Sequence, residues 1–190
     1  MLDVLYEDNH LLAVVKPSGL PTMGTPEGTE TLLTLSKEYI RTKYGKPGNV
    51  YLGVVSRLDA PVSGVVLLAR TSKAAQRLTD LFRSREVVKR YLALVEGVIE
   101  SDRAQCENWI TEDKRHRRMH LVGPAVEGAK PARLGYRRIA VLGHRSLLEI
   151  DLFTGRKHQI RVQLAGQGHP VIGDRKYGGP VCWPKGIALH

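Results

Sequence analysis

Residues 57–64 gather groups that chemistry could use: Arg57, Asp59, Pro61, Ser63 and Gly64 on one polar turn. Apolar runs at 51–55 and 65–69 flank it, rich in β-branched and aliphatic residues and short enough to be buried strands. A carboxylate on a loop between two core strands has a rigid base, the placement that binding or catalysis requires. The same residues also suit an ordinary hairpin turn capped by Asp59, and the stretch alone leaves both readings open.

A second group lies at 156–164, where Arg156, Lys157, His158 and Arg161 start a segment with helical spacing. His158 and Arg161, three residues apart, share a face, while Ile160 and Leu164 point elsewhere. Such a helix end favours anions through its side chains and its dipole. It reads either as a basic surface helix or as a site where arginines hold phosphate or pair with a buried carboxylate. The run Lys114, Arg115, His116, Arg117, Arg118 is the densest charge cluster, either a solvated loop or a phosphate contact. Tyr91 taken alone is a strand-core tyrosine. His158, His169 and Cys182 lack the local ligand pairs of zinc sites, and no P-loop, dinucleotide loop or Ser/His/Asp motif is present. Chemistry therefore rests on Asp59, Tyr91 and the arginines, with no cofactor and no metal expected.

The elements that must position these residues follow from periodicity and turn residues. Residues 4–6 and 11–15 read as strands joined by a turn at 7–10, and Lys16-Pro17-Ser18-Gly19-Leu20-Pro21 stops the second. Leu32, Leu35, Tyr39 and Ile40 predict a helix over 31–44 ended by Gly45. A second helix is predicted over 73–84, with Thr71 or Ser72 as N-cap and Ala75, Leu78, Leu81 and Phe82 buried. A strand follows at 87–95, then a hairpin of 132–142 with 146–153 turning at Gly143-His144.

The chain has 190 residues, 42% hydrophobic and 25% charged, a single domain of ordinary size able to bury a core. Its formal net charge of +10 is the telling figure, because such an excess usually has an anionic partner, nucleic acid being the commonest. No basic amphipathic helix with a heavy apolar face favours a membrane, and no apolar run approaches the ~20 residues a span requires. The first residues lack the regions of a signal peptide, and two cysteines do not make a disulfide framework, so a reducing cytoplasm is expected.

Four separated blocks, in order, carry a resemblance to the RluA-type RNA pseudouridine synthases. Lys16-Pro17-Ser18-Gly19-Leu20 matches that family's K-P-x-G-L turn, and Arg57-Leu58-Asp59 with Ser63-Gly64 its R-L-D signature. Lys89-Arg90-Tyr91 falls in its K-x-Y strand. Thr154-Gly155-Arg156, His158-Gln159-Ile160-Arg161-Val162, and Gly168-His169-Pro170 with Gly173-Asp174 match its last block. Ser56 stands where the family has histidine, Val62 where it has threonine, Lys157 where it has threonine or serine, and Gln163 where it has a second histidine.

The resemblance implies an α+β pseudouridine synthase catalytic fold: an extended, mostly antiparallel sheet with flanking helices and a central basic cleft. It implies one catalytic domain over 1–190, in which residues 187–190 look like the start of the family's closing segment. It also implies isomerisation of uridine to pseudouridine in ribosomal or transfer RNA. Asp59 matches the catalytic aspartate, Arg161 the arginine that pairs with it, and Tyr91 the tyrosine against the target base. Arg57 matches an RNA-contacting arginine beside the nucleophile. Arg156, His158, Lys114, Arg115, Arg117 and Arg118 are the further expected RNA contacts. The expected partner is RNA, with no membrane or metal, and the expected state a monomer. A non-catalytic RNA-binding protein of the same fold is the alternative; a nucleoside glycosidase lacks an obvious second carboxylate.

Overall fold

In the computed structural model, which describes residues 2–179 and 183–190, burial alternates strictly along residues 11–16, as successive side chains of a strand point to opposite faces. Leu12, Val14 and Lys16 point into the core, while Leu11, Ala13 and Val15 are half-buried on the other side. Cys182, weighed above as a metal ligand, lies outside the described residues. The chain forms two compact units, Met1–Val87 and Val88–His190.

The first unit is a four-stranded antiparallel sheet, with β1 (Asp3–Glu7), β2 (Leu11–Lys16), β3 (Gly53–Val54) and β4 (Gly64–Ala69) in the order β1-β2-β4-β3. Helix α1 (Leu32–Tyr44) starts at a reciprocal cap between Thr31 and Thr34 and stops at Gly45, whose φ of 57° is left-handed. Its Leu32 and Ile40 join Leu12, Val14, Val50, Leu52, Val66 and Leu68 in one core. Helix α2 (Ser72–Ser84) is capped by Thr71. The helix packs against β4 and the short β3, burying Ala74 and Leu78. Leu81, expected inside, is 39% exposed, because the small cluster of Ala69, Ala74 and Leu78 does not reach the last turn.

Glu7 ties three of these elements together. Its carboxylate accepts hydrogen bonds from Tyr39 (2.8 Å), Lys43 (2.7 Å) and Tyr44 (2.6 Å) of α1 and from Arg70 (2.9 Å) after β4. Burial alone would push this carboxyl up, but the donors of Lys43, Tyr44 and Tyr39 together outweigh it and hold it at about 2. A folded-state value below the ordinary 4.5 gives stability that is complete above 4.5 and is lost as pH falls toward 2. Glu7→Gln is therefore expected to lower unfolding free energy by about 1–3 kcal/mol at pH 7. In urea titrations the gap to wild type should shrink as pH drops from 4.5; a constant gap would refute the assignment.

The second unit holds a five-stranded antiparallel sheet. Its strands are β5 (Arg90–Glu96), β6 (Arg103–Asp113), β7 (Arg118–Val122), β8 (Lys130–Leu142) and β9 (Arg145–Leu152), in the order β5-β9-β8-β6-β7. Pairs such as Ala93 with Leu148, Tyr136 with Ile150 and Cys106 with Leu134 make one face the core. Helix α3 (Gln159–Gly166) packs on β6 and β7, and the Gln163 amide donates toward Cys106 O (3.2 Å), Ala132 O (3.2 Å) and Asn108 Oδ1 (2.9 Å). The free edge of β5 is closed by the C-terminal residues, Leu92 and His190 exchanging two backbone hydrogen bonds. The antiparallel α+β architecture is as expected, its strands divided between two sheets. Among the described residues no helix is long and apolar enough to cross a membrane.

Candidate active site

The loop that carries Asp59 is clamped from beneath by the segment after β2. Lys16 is fully buried, and its ammonium donates to three carbonyls: Pro17 (2.9 Å), Leu20 (2.7 Å) and Ala60 (3.1 Å). Ser18 donates to Pro61 O (2.6 Å) and the Gly19 amide to Ala60 O (2.7 Å). Thr22, also buried, bonds both the carbonyl (2.9 Å) and the amide (3.2 Å) of Leu58. Residues on both sides of Asp59 are thus anchored, with Val62 packed inside at 3% exposure. Burial pulls the Lys16 ammonium down to about 8, while the negative charge of Asp59 pushes it up. Lys16 and Ser18 were read above only as part of a turn that stops the strand, and Thr22 was given no role; all three hydrogen-bond the loop that carries Asp59. Arg57, next but one to Asp59, is exposed and forms no ion pair among the described residues.

In the second unit the organising pair is Arg161 and Asp174. The Nε and Nη2 atoms of Arg161 bond the two carboxylate oxygens of Asp174 at 2.6 and 2.9 Å, with the residues 5% and 1% exposed. A two-pronged contact fixes the plane of the guanidinium as well as its place. Asp174 is itself held through its backbone, its carbonyl accepting the amides of Tyr177 (3.0 Å) and Gly179 (2.9 Å). Gly179 must be glycine, since a Cβ there would lie 2.4 Å from Val171 O and 2.8 Å from the Asp174 nitrogen. The resemblance names Asp59 as the carboxylate that Arg161 pairs with; within its own unit the guanidinium is held by Asp174, which the sequence showed only as a motif residue.

His158 and Arg161 do not share a helix face, as their spacing had suggested. The helix begins at Gln159, and His158 precedes it in the left-handed region at φ 51°. The cause is Gln159, whose side-chain oxygen accepts from Thr154 (2.8 Å) and the Arg156 amide (3.0 Å) and so folds 154–158 into a turn. Nor is α3 a basic surface helix, because residues 159–164 are all buried. Lys157 pairs with Glu112 at 2.6 Å, and the half-buried Arg156 donates to Pro131 O at 3.2 Å. Lys114, Arg115, His116 and Arg117 form the exposed turn between β6 and β7. This turn is not a loose loop, since Asp113 holds the amide (3.0 Å) and ring (2.6 Å) of His116. Tyr91 sits half-buried on β5 opposite Ile150, on the core face of its sheet. Among the described residues no group of three His, Cys, Asp or Glu side chains could hold a metal.

This arrangement of strands and helices is that of the pseudouridine synthases: a human RNA pseudouridylate synthase domain-containing protein 1 structure aligns with a TM-score of 0.80, at 27% identity over 100% of this chain and 76% of that one. The chain belongs to the RNA pseudouridylate synthase family, whose model matches residues 10–166. Ribosomal large subunit pseudouridine synthase D of Xylella fastidiosa is 38% identical over 97% of this chain. The mitochondrial tRNA pseudouridine(32) synthase of Saccharomyces cerevisiae is 32% identical over 96%. The chain spans 54% and 38% of the length of those two relatives.

Proposed function

We propose that the protein is an RNA pseudouridine synthase that isomerises a specific uridine in ribosomal or transfer RNA, as a cytoplasmic monomer without cofactor. The observation that carries this reading is the clamp on both sides of Asp59, in a chain whose family match spans residues 10–166. A nucleophile or charge stabiliser must be held still at the reacting carbon, and a solvated hairpin turn would need no buried lysine beneath it.

In the reaction the bond from uracil N1 to ribose C1′ breaks, the detached base turns, and its C5 bonds to C1′. A proton leaves C5 and one is gained at N1, so the step is a net isomerisation. Asp59 is the carboxylate that attacks or shields the electron-poor centre. Arg161, held flat by Asp174, stands at the position of the family's aspartate-pairing arginine, and Tyr91 removes the C5 proton. A base buried in a duplex must first be extruded, at a cost of a few kcal/mol, and exposed Arg57 fills the space it leaves. Arg156, His158 and the turn from Lys114 to Arg118 hold the backbone.

The reading is tested by incubating transcripts carrying uridine tritiated at C5 with the protein and measuring release, together with mapping pseudouridines in ribosomal and transfer RNA with and without the gene. No release from either RNA class, and an unchanged map, would reject it. Replacing Arg115, Arg117 and Arg118 together by alanine should lower the slope of log affinity against log salt by about 2, three phosphate contacts at ~0.7 each. An unchanged slope would return the turn to simple solvation.

A further inference from the structure

Within the basic turn one residue differs from the rest. Lys114, Arg115, His116 and Arg117 are exposed, but Arg118, the first residue of β7, is half-buried. Its guanidinium carbon lies 5.0 Å from the ring centroid of Tyr177. Its side chain forms no ion pair or hydrogen bond among the described residues, and its Nε is shielded from solvent without an acceptor. A guanidinium held against a ring with no carboxylate beside it lacks an anion.

The same ring serves a second arginine. The Arg161 guanidinium carbon is 5.1 Å from the Tyr177 centroid, but there the charge is met by Asp174. The ring can hold both because it is itself fixed. Tyr177 is 5% exposed, and its hydroxyl oxygen accepts the Met119 amide at 2.9 Å. The same hydroxyl is hydrogen-bonded with His158 Nδ1, 2.7 Å away. Met119 follows Arg118 directly, so the phenol also anchors the strand that carries the unmatched guanidinium. A second tie runs from Lys176 Nζ to Arg117 O at 3.0 Å. Asp174 and Tyr177, three residues apart on one short turn, therefore place Arg161 and Arg118 against the same piece of backbone.

We infer that Arg118 is a built RNA-phosphate contact, and that Tyr177 is the positioning residue which holds it and Arg161 in a common frame. The inference rests on the proposed RNA reaction. The bland alternative is that Tyr177 merely fills the core formed with Ile110, Met119, Ala132 and Val162.

The test uses the full chain, a transcript that the wild type modifies, filter binding at several salt concentrations, and single-turnover tritium release. Arg118→Met should weaken RNA binding by about fivefold to tenfold and reduce the salt slope by ~0.7. Arg118→Lys, which keeps charge but loses the flat group, should weaken binding nearly as much. Tyr177→Leu should match that binding loss and slow single-turnover release at saturating RNA by about tenfold or more. Tyr177→Phe, which keeps the ring, should retain the wild-type salt slope. In the Tyr177→Leu background, Arg118→Met should add nothing to the binding loss.

Full rescue by Arg118→Lys, or additive losses in the double variant, would overturn the inference. If Tyr177→Leu does not fold, the Arg118→Lys comparison decides. A wild type that neither binds nor modifies RNA defeats the proposed function. A wild type that does both, with Arg118→Met unchanged in affinity and slope, defeats only this inference.

Discussion

Asp59→Asn is expected to reduce tritium release from C5-labelled uridine by at least ~10⁴-fold while RNA affinity stays within about threefold. The amide keeps the size of the carboxylate and removes its charge and nucleophilicity. It should occupy the same place, because the loop is held by bonds that do not involve the Asp59 side chain: Lys16 to Ala60 O, Ser18 to Pro61 O and Thr22 to both backbone atoms of Leu58. The substitution therefore separates chemistry from architecture. Turnover above about a hundredth of wild type would remove Asp59 from the central role. Unchanged thermal melting should accompany the loss, and a fallen melting temperature would mean that the side chain also supports the loop.

The second large effect concerns Asp174. Asp174→Ala removes the two-pronged carboxylate contact from the buried guanidinium of Arg161, which should cost about 3–5 kcal/mol in urea unfolding. Arg161→Lys keeps the charge but forfeits the two-pronged contact, so its stability loss should be smaller and its loss of isomerisation about 100-fold. Replacing both partners by apolar residues of similar volume, Arg161→Met with Asp174→Leu, should restore much of the stability and none of the activity. That divergence marks the pair as built for placement rather than for holding the fold. A double variant that recovered activity with stability would refute it, as would a loss below 1 kcal/mol for Asp174→Ala.

Local chemistry was readable where the partners are near in sequence. Thr31 and Gly45 bound α1 because one supplies a side-chain acceptor to the first turn and the other tolerates left-handed φ. The hairpin of β8 with β9 turned where Gly143 allowed it. The α3 reading went astray because periodicity records side-chain type and not what covers it. Basic residues at 156–161 suggest an exposed helix, yet the sheet face of β6 and β8 takes Gln163 and buries the helix around it. Similarly Leu81 had the right spacing for a core position, but no neighbour arrives to bury it.

What the sequence determined by itself was the set of chemical groups and their family pattern. Asp59 stands between two apolar runs, Arg161 and Tyr91 occupy matching motif positions, and the charge calls for an anionic partner. What only the tertiary structure decided were the partners that lie far along the chain. Lys16 meets Ala60 44 positions away, Met119 meets Tyr177 58 positions away, and Glu7 collects donors from Tyr39 to Arg70. No local preference encodes such contacts, because each depends on which strands pair and in what register. A buried lysine in a motif reads as a surface charge until three carbonyls are seen to surround it. A tyrosine in a turn reads as filler until two guanidinium groups are found at its ring.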